Sequence, residues 1–457
     1  MTRRTSGRGN VDFAGSAAIA LLVAVAFVTG GDSNHSGLGE TITQLMALPV
    51  AVWGLARLCR ETRAPFRNGA VAVALLLFAT IAVQLILLPE DIWRLVAVRE
   101  TLAHDLFAAG VDQASWTWSL APLATERALW FTLPALAVFF ATLVVPARFH
   151  RRLLEVVVLL VAASLLLGAV QLGVSQDSIL NPFPRWAPAM NGLFANPNHQ
   201  GIALAICVVM VVTLSAGDWI DGRWNRSIPS RIAWILLAAA MLISVPLTGS
   251  RAAFLLALMG LLAVPVVLRT ELRSVDVLKS NLPAIKWLSL FSGLCVAGAV
   301  LAWVRFESGD SIRWTLASAT AAMGWTHFPL GAGTGTFVPW FDQSAPPALV
   351  QWEYFNHAHN EVVQWWFEAG VLGLVSTLSA LGVLAASYPR YSRSTAGGSN
   401  RGVALAAWLA CVLLFSHAWV EYGLRTQALM TVAALLAGIV VARRVRDRNR
   451  EHLSTHR

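Results

Sequence analysis

The stretch LLEVVVLLVAASLLLGAVQLGV, residues 153–174, decides the fold class, and Glu155 is its only charge. Wound as a helix at 1.5 Å per residue, it covers about 30 Å, the thickness of a bilayer's hydrocarbon. It lacks the polar–apolar alternation of a membrane β-barrel strand. Further runs of this kind lie near 12–30, 41–58, 69–88, 129–146, 201–216, 232–248, 252–268, 287–303, 361–386, 403–418 and 427–442. The expected architecture is all-α and polytopic, with about twelve transmembrane helices.

Composition agrees. Of 457 residues, 56% are apolar and 13% charged, against about 25% charged in an average soluble domain. These figures exclude a disordered chain, a collagen and a disulfide-stapled secreted domain. A soluble multidomain enzyme is equally poorly served, since so few charges cannot cover its surface. Cys59, Cys207, Cys295 and Cys411 sit in or beside apolar runs and read as small core residues. The run from Phe13 to Thr29 is long enough to remain as a first span, so no cleaved signal peptide is expected.

Charge sidedness orients the chain. All but eight of the 34 Lys and Arg fall in the tails and in the loops near 57–67, 148–152, 223–231, 269–286 and 390–401. The positive-inside rule makes that side cytoplasmic and places both termini there. The eight on the other side are Arg94, Arg99, Arg127, Arg185, Arg251, Arg305, Arg313 and Arg425. Insertion disfavours them there, so another force must retain them. Two outer segments exceed ordinary connectors: 89–128, expected to include short surface helices, and 304–360, rich in Trp, His and Gly. Their tryptophans suit either an interfacial belt or platforms for sugar rings.

The second segment ends in Asn356-His357-Ala358-His359-Asn360, and Gly370 and Gly373 follow inside the next apolar run. A His-Asn pair, nine residues, Gly, two residues and Gly resembles the signature of the O-antigen ligase and polysaccharide polymerase superfamily. Three further stretches are similar to that family: Asn191 through Asn196-Pro197-Asn198-His199, Thr248-Gly249-Ser250-Arg251, and Pro329 through Gly331, Gly333, Gly335 and Phe337. The resemblance covers roughly residues 185–425 and leaves the first 150 as generic spans.

The resemblance implies a GT-C-like fold, with residues 1–457 as one membrane-embedded glycosyltransferase domain in the bacterial inner membrane. Segments 89–128 and 304–360 would then be periplasmic loops. It implies transfer of a glycan from undecaprenyl diphosphate to an acceptor sugar hydroxyl, on lipid A core or a growing surface polysaccharide. Membrane lipids are expected partners and nucleic acid is not. A protein O-oligosaccharyltransferase of the same superfamily, or a non-catalytic transporter of lipid-linked sugars, is the alternative. A transporter predicts repeated halves and charges within central spans; the chain has no evident repeat, and its unusual polar groups gather on the outer face.

The residues suit such chemistry. Histidine, which titrates near neutrality, suits the base that takes the acceptor's proton. Asn360 suits the N-cap of the following span, which would set His359 at a helix N-terminus whose dipole favours a diphosphate. His357 can cooperate with His359 only if the segment before Asn360 is extended. Arg251, at a very short turn between spans, is costly unless an anion pairs with it. Arg185 and Arg313 complete the expected diphosphate clamp, with His357, Asn360, Gly370, Gly373, Asn196 and Asn198 in support. The Gly331–Gly335 stretch is read either as a plain turn or as a nest of N–H groups for phosphate or sugar. His417, Glu421 and Arg425, at i, i+4 and i+8, read as one helical face that either orients the acceptor or, the preferred reading, forms a surface ion pair. The chain holds no Asp-x-Asp, and arginines can do a metal's electrostatic work, so neither a metal nor another cofactor is expected.

Overall fold

A computed structural model describes residues 2–455 apart from 34–36, 62–63, 112–114, 176, 184–188, 221–227, 273–309, 345–348, 350–354 and 390–400. The chain runs through α1 (Thr2–Thr29), α2 (Gly37–Arg60), α3 (Pro65–Ala82), β1 (Leu87–Pro89), α4 (Glu90–Trp93), α5 (Ala97–Ala108) and β2 (Ser115–Thr117). It continues with α6 (Pro122–Phe131), α7 (Leu133–Val144), α8 (His150–Gln171), α9 (Pro197–Ile220), α10 (Ile228–Leu247) and α11 (Arg251–Leu272). After the undescribed segment come α12 (Asp310–Thr326), α13 (Phe337–Ser344), α14 (Glu361–Ala386), α15 (Arg401–His417) and α16 (Gln427–Thr455). Among the described residues, nine helices are long and apolar enough to cross a membrane. The apolar helices Gly402–His417 and Gln427–Arg443 are shorter, and the expected span at 287–303 lies outside the described residues. The protein is an all-α, multi-pass membrane protein.

α9 explains why the bundle needs continuous rather than striped apolar sequence. Every side chain from Ile202 to Val211 is buried, because α8, α10, α11 and α15 surround the helix. A helix enclosed on all sides is hydrophobic all round. Its first turn, Pro197 to Gln200, is therefore held rigidly, and that turn carries part of the site.

The described parts of segments 89–128 and 304–360 fold together. Segment 89–128 contains short helices, as expected, and a strand that the helical reading missed: β2 pairs antiparallel with β1, which starts just before the segment, with Leu88 opposite Trp116. Trp118 Nε1 donates to Leu330 O (2.9 Å), Leu120 N to Ala332 O (2.9 Å), Thr125 Oγ1 to Thr334 O (2.7 Å) and Arg99 to Gly331 O (2.8 Å). The first segment thus clasps the glycine turn of the second. Below it, Leu316, Met323, Phe337, Phe341 and Phe367 form a separate apolar cluster seating α12 and α13 on α14. The tryptophans divide accordingly: Trp93 is buried under Arg99, whereas Trp314 and Trp325 stand exposed on α12. Trp352 lies outside the described residues.

Candidate active site

The start of α14 is built by its own sequence. Asn360 adopts extended backbone angles, and its side chain accepts from Val363 N at 3.0 Å, capping the helix. The chain before it turns rather than coils. His359 has φ 49°, unique among the described non-glycine residues, a conformation that costs roughly 1–3 kcal/mol and persists only when neighbours impose it. The neighbours are present: Ala358 is fully buried, with its N–H donating to Gln364 Oε1 at 3.0 Å, and His359 Nδ1 lies 3.2 Å from Glu421 Oε1.

Glu421 is the centre of the site. It is fully buried and draws donors from three parts of the chain. Asn198 Nδ2 donates to Oε1 at 2.7 Å, Asn196 Nδ2 to Oε2 at 3.4 Å, and Arg313 pairs with Oε1 at 3.2 Å. His199 Nε2 lies 4.0 Å away. Asn196 also caps the first turn of α9, accepting from Asn198 N at 2.9 Å. Burial pushes the Glu421 carboxyl up, but facing His359, Arg313 and His199 outweigh it and hold the group down at about 2. Tyr422 packs its ring against His357 (4.4 Å between centroids), His199 (4.8 Å) and His359 (4.9 Å). Burial and the adjacent Glu421 charge raise its phenol to about 12, so it stays a hydroxyl.

The two expected histidines therefore meet on one ring, but their partners give them different protonation. Gln364 Oε1 accepts from Ala358, so its Nε2 is the end that faces His357 Nδ1 (3.2 Å) and Glu368 Oε1 (3.0 Å). His357 Nδ1 is thus an acceptor, and the neutral ring carries its proton on Nε2. His359 is the converse: Nδ1 faces a carboxylate and carries the proton, leaving Nε2 as an acceptor. Its side chain is 20% exposed. Of the pair, only His359 keeps Nε2 able to take a proton.

Lower down α14, Gly370 breaks the helix with φ 52° and ψ −136°. The break frees carbonyls, and the glycine turn fills it. Ala332 N donates to Phe367 O and Gly333 N to Glu368 O, both at 2.9 Å, while Val371 N donates to Pro329 O at 3.1 Å. Gly331 N donates to His327 O (2.9 Å) and Thr334 N to Gln84 Oε1 (2.8 Å). These N–H groups are spent within the protein, so the phosphate-nest reading of this stretch gives way to a structural turn. Gly373 is explained by contact: a Cβ there would lie 2.9 Å from Trp365 O.

The reading of His417, Glu421 and Arg425 as one helical face is corrected. α15 stops at His417, and the chain bends back onto α14: Glu361 N donates to Ala418 O (2.8 Å) and Leu424 N to Glu361 Oε1 (2.6 Å). Nor is it a surface ion pair. Glu421 and His417 are buried, and Arg425 pairs with buried Glu368 at 2.9 Å.

Pairing also accounts for several of the eight arginines expected on the outer side. Arg94 pairs with Glu90, Arg127 with Glu40, Arg313 with Glu421 and Arg425 with Glu368. Arg251 is the first residue of α11, exposed, after a turn in which Ala253 N donates to Ser250 Oγ at 3.3 Å. That turn presses on Gly201, two residues past His199, where a Cβ would lie 2.8 Å from both Ser250 Cβ and Thr248 Oγ1. Arg251 thus starts from a turn packed against the same end of α9 that supplies Asn196 and Asn198. Arg185 and Arg305 lie outside the described residues. Sequence reasoning missed Gln364 and Tyr422 and gave His199 no role; only the match of polar residues across distant segments could have signalled them.

Residues 236–378 match the family model for O-antigen ligase, and the likeness is confined to that segment. The segment contains Arg251, Arg313, His357, His359, Asn360, Gly370 and Gly373, whereas Asn196, Asn198 and Glu421 lie outside it. No curated protein matches the chain.

Proposed function

We propose that the protein is a bacterial inner-membrane glycosyltransferase acting on the periplasmic face, with both termini cytoplasmic and the whole chain forming one catalytic domain. It transfers a glycan from undecaprenyl diphosphate to a sugar hydroxyl of lipid A core or of a growing surface polysaccharide. The observation that carries this reading is the His359–Glu421 pair within reach of Arg313, with His359 inside the segment that matches the O-antigen ligase model. His359 Nε2 takes the proton of the acceptor hydroxyl as its oxygen attacks the anomeric carbon. The bond from that carbon to the phosphate oxygen breaks, and undecaprenyl diphosphate leaves with the electron pair. Arg251, Arg313 and Arg185 bind the diphosphate and stabilise its charge as it departs. Diphosphate leaves readily, so no general acid and no metal is required, and the single displacement inverts the anomeric centre.

The test is His359→Ala and Arg251→Ala, each expressed in cells whose own copy is deleted. Surface polysaccharide should be lost in both. If both variants build it at wild-type levels, the mechanism is wrong. Turnover by purified protein, given lipid-linked glycan and acceptor, distinguishes an enzyme from a transporter.

A further inference from the structure

Oxygen Oε1 of Glu421 is over-subscribed. Asn198 Nδ2 (2.7 Å), His359 Nδ1 (3.2 Å) and Arg313 Nη2 (3.2 Å) all converge on it. Among the described residues, its partner Oε2 has only Asn196 at 3.4 Å and His199 at 4.0 Å. A carboxylate oxygen offers two lone pairs; Asn198 and His359 hydrogen-bond to them, and Arg313 adds an ion pair to the same oxygen.

The three differ in freedom. Asn198 is fixed in the first turn of α9, and His359 is fixed by its turn and its contact with Tyr422. Arg313 reaches in from α12 on a long side chain that is 41% exposed, whereas Glu421 is 1% exposed. Arg313 is the donor that can leave. A diphosphate carries more charge than a carboxylate and accepts a guanidinium through two parallel bonds. It would win that arginine.

We propose that Arg313 is a shuttling residue, paired with Glu421 until a donor binds and then transferred to the donor diphosphate. Its departure leaves Glu421 to His359, so the base gains its full carboxylate partner only when a donor is present. The other groups facing His359 are Tyr422 beside Glu421, His199 from α9 and His357 from its own segment. None of these three is a permanent cation that a diphosphate could draw away. The device couples the two halves of the reaction and limits base chemistry on stray hydroxyls until a donor binds. It rests on the proposed reading that Arg313 contacts the donor diphosphate and His359 is the base.

The coupling is reciprocal, so Glu421 competes with the diphosphate for Arg313. Undecaprenyl diphosphate itself is the probe, titrated in mixed micelles onto purified full-length protein and three variants: Glu421→Gln, Arg313→Gln and the double substitution. Removing a half-exposed ion-pair competitor should tighten binding by about fivefold in Glu421→Gln, although the same variant makes no polysaccharide in cells. Arg313→Gln should bind more weakly, and adding Glu421→Gln to it should bring no gain. Should Glu421→Gln fail to fold, Glu421→Asp withdraws the carboxylate from Arg313 and should tighten binding by a smaller factor. Weaker or unchanged binding in the Glu421 variants, or the same gain with and without Arg313, overturns the shuttle. Failure of the wild-type protein to bind undecaprenyl diphosphate overturns the donor reading and the shuttle with it. If Arg313→Gln binds normally while His359→Ala abolishes polysaccharide, the shuttle alone falls.

Discussion

Gly370→Ala tests whether the glycine turn and the broken helix hold each other in place. Gly370 sits at φ 52° and ψ −136°, a region essentially closed to residues with a Cβ, at a cost of roughly 1–3 kcal/mol. A Cβ there would also lie 2.2 Å from Pro329 O and 2.8 Å from Gly331 N. These are backbone atoms, so no side chain can swing aside, and the turn must lift away. Lifting it breaks the bonds from Ala332 to Phe367, Gly333 to Glu368 and Val371 to Pro329, each worth about 1 kcal/mol. With the strain, the loss comes to roughly 5 kcal/mol. Unfolding entropy of about 2.1 cal/mol/K per residue makes that a fall of about 5 °C in melting temperature for a chain of 457 residues. Gly382→Ala is the matched control on the same helix. It has open space at its Cβ, so it should gain about 0.5–1 kcal/mol from lower unfolded-chain entropy and better helix propensity. The assay is thermal melting of the purified variants in one detergent. If Gly370→Ala melts within a degree of the wild type, the turn does not fill the helix break.

Two further outcomes follow from the buried charges. Arg425→Met strands the Glu368 carboxylate, which is fully buried, and should cost roughly 3–5 kcal/mol in the same melting assay. The double variant Glu368→Gln/Arg425→Met removes both charges and should recover most of that loss. Glu421 supplies a pH signature. Its folded value of about 2 lies below the ordinary 4.5, so its contribution is fully present above about 4.5 and is lost as pH falls toward 2. Glu421→Gln should therefore flatten the acid limb of the stability profile between pH 4.5 and 2, read by melting temperature in that window.

What could be read in advance was what one segment determines by itself. Apolar length alone reveals α8, and residue type alone reveals Asn360 as a cap, because neither depends on a distant partner. The glycine turn was half legible. Glycine announces a backbone that other residues avoid, but not that Phe367 and Glu368 take the turn's N–H groups. The 417–425 segment was misread for a related reason. Spacing of four implies one face only while the helix continues, and here Glu361 supplies a donor for Ala418 and an acceptor for Leu424 in place of further helical turns.

The same physics explains why the segment that matches the O-antigen ligase model does not complete the candidate site by itself. Its His359 is held by a carboxylate 62 residues later, and that carboxylate is held by Asn198, 223 residues away from it. Glu421 is fully buried, so its donors come from the protein, and no single helix can present four to one group. The bundle solves this by bringing the first turn of α9, the start of α14, one arginine of α12 and the 418–426 loop to one point. A substitution at Asn198 therefore acts on His359 without touching it: the carboxylate loses its fixed donor, and the proton on Nδ1 loses a fixed partner. The motif singles out His359, whereas the packing of residues outside the matched segment sets which of its nitrogens faces a carboxylate.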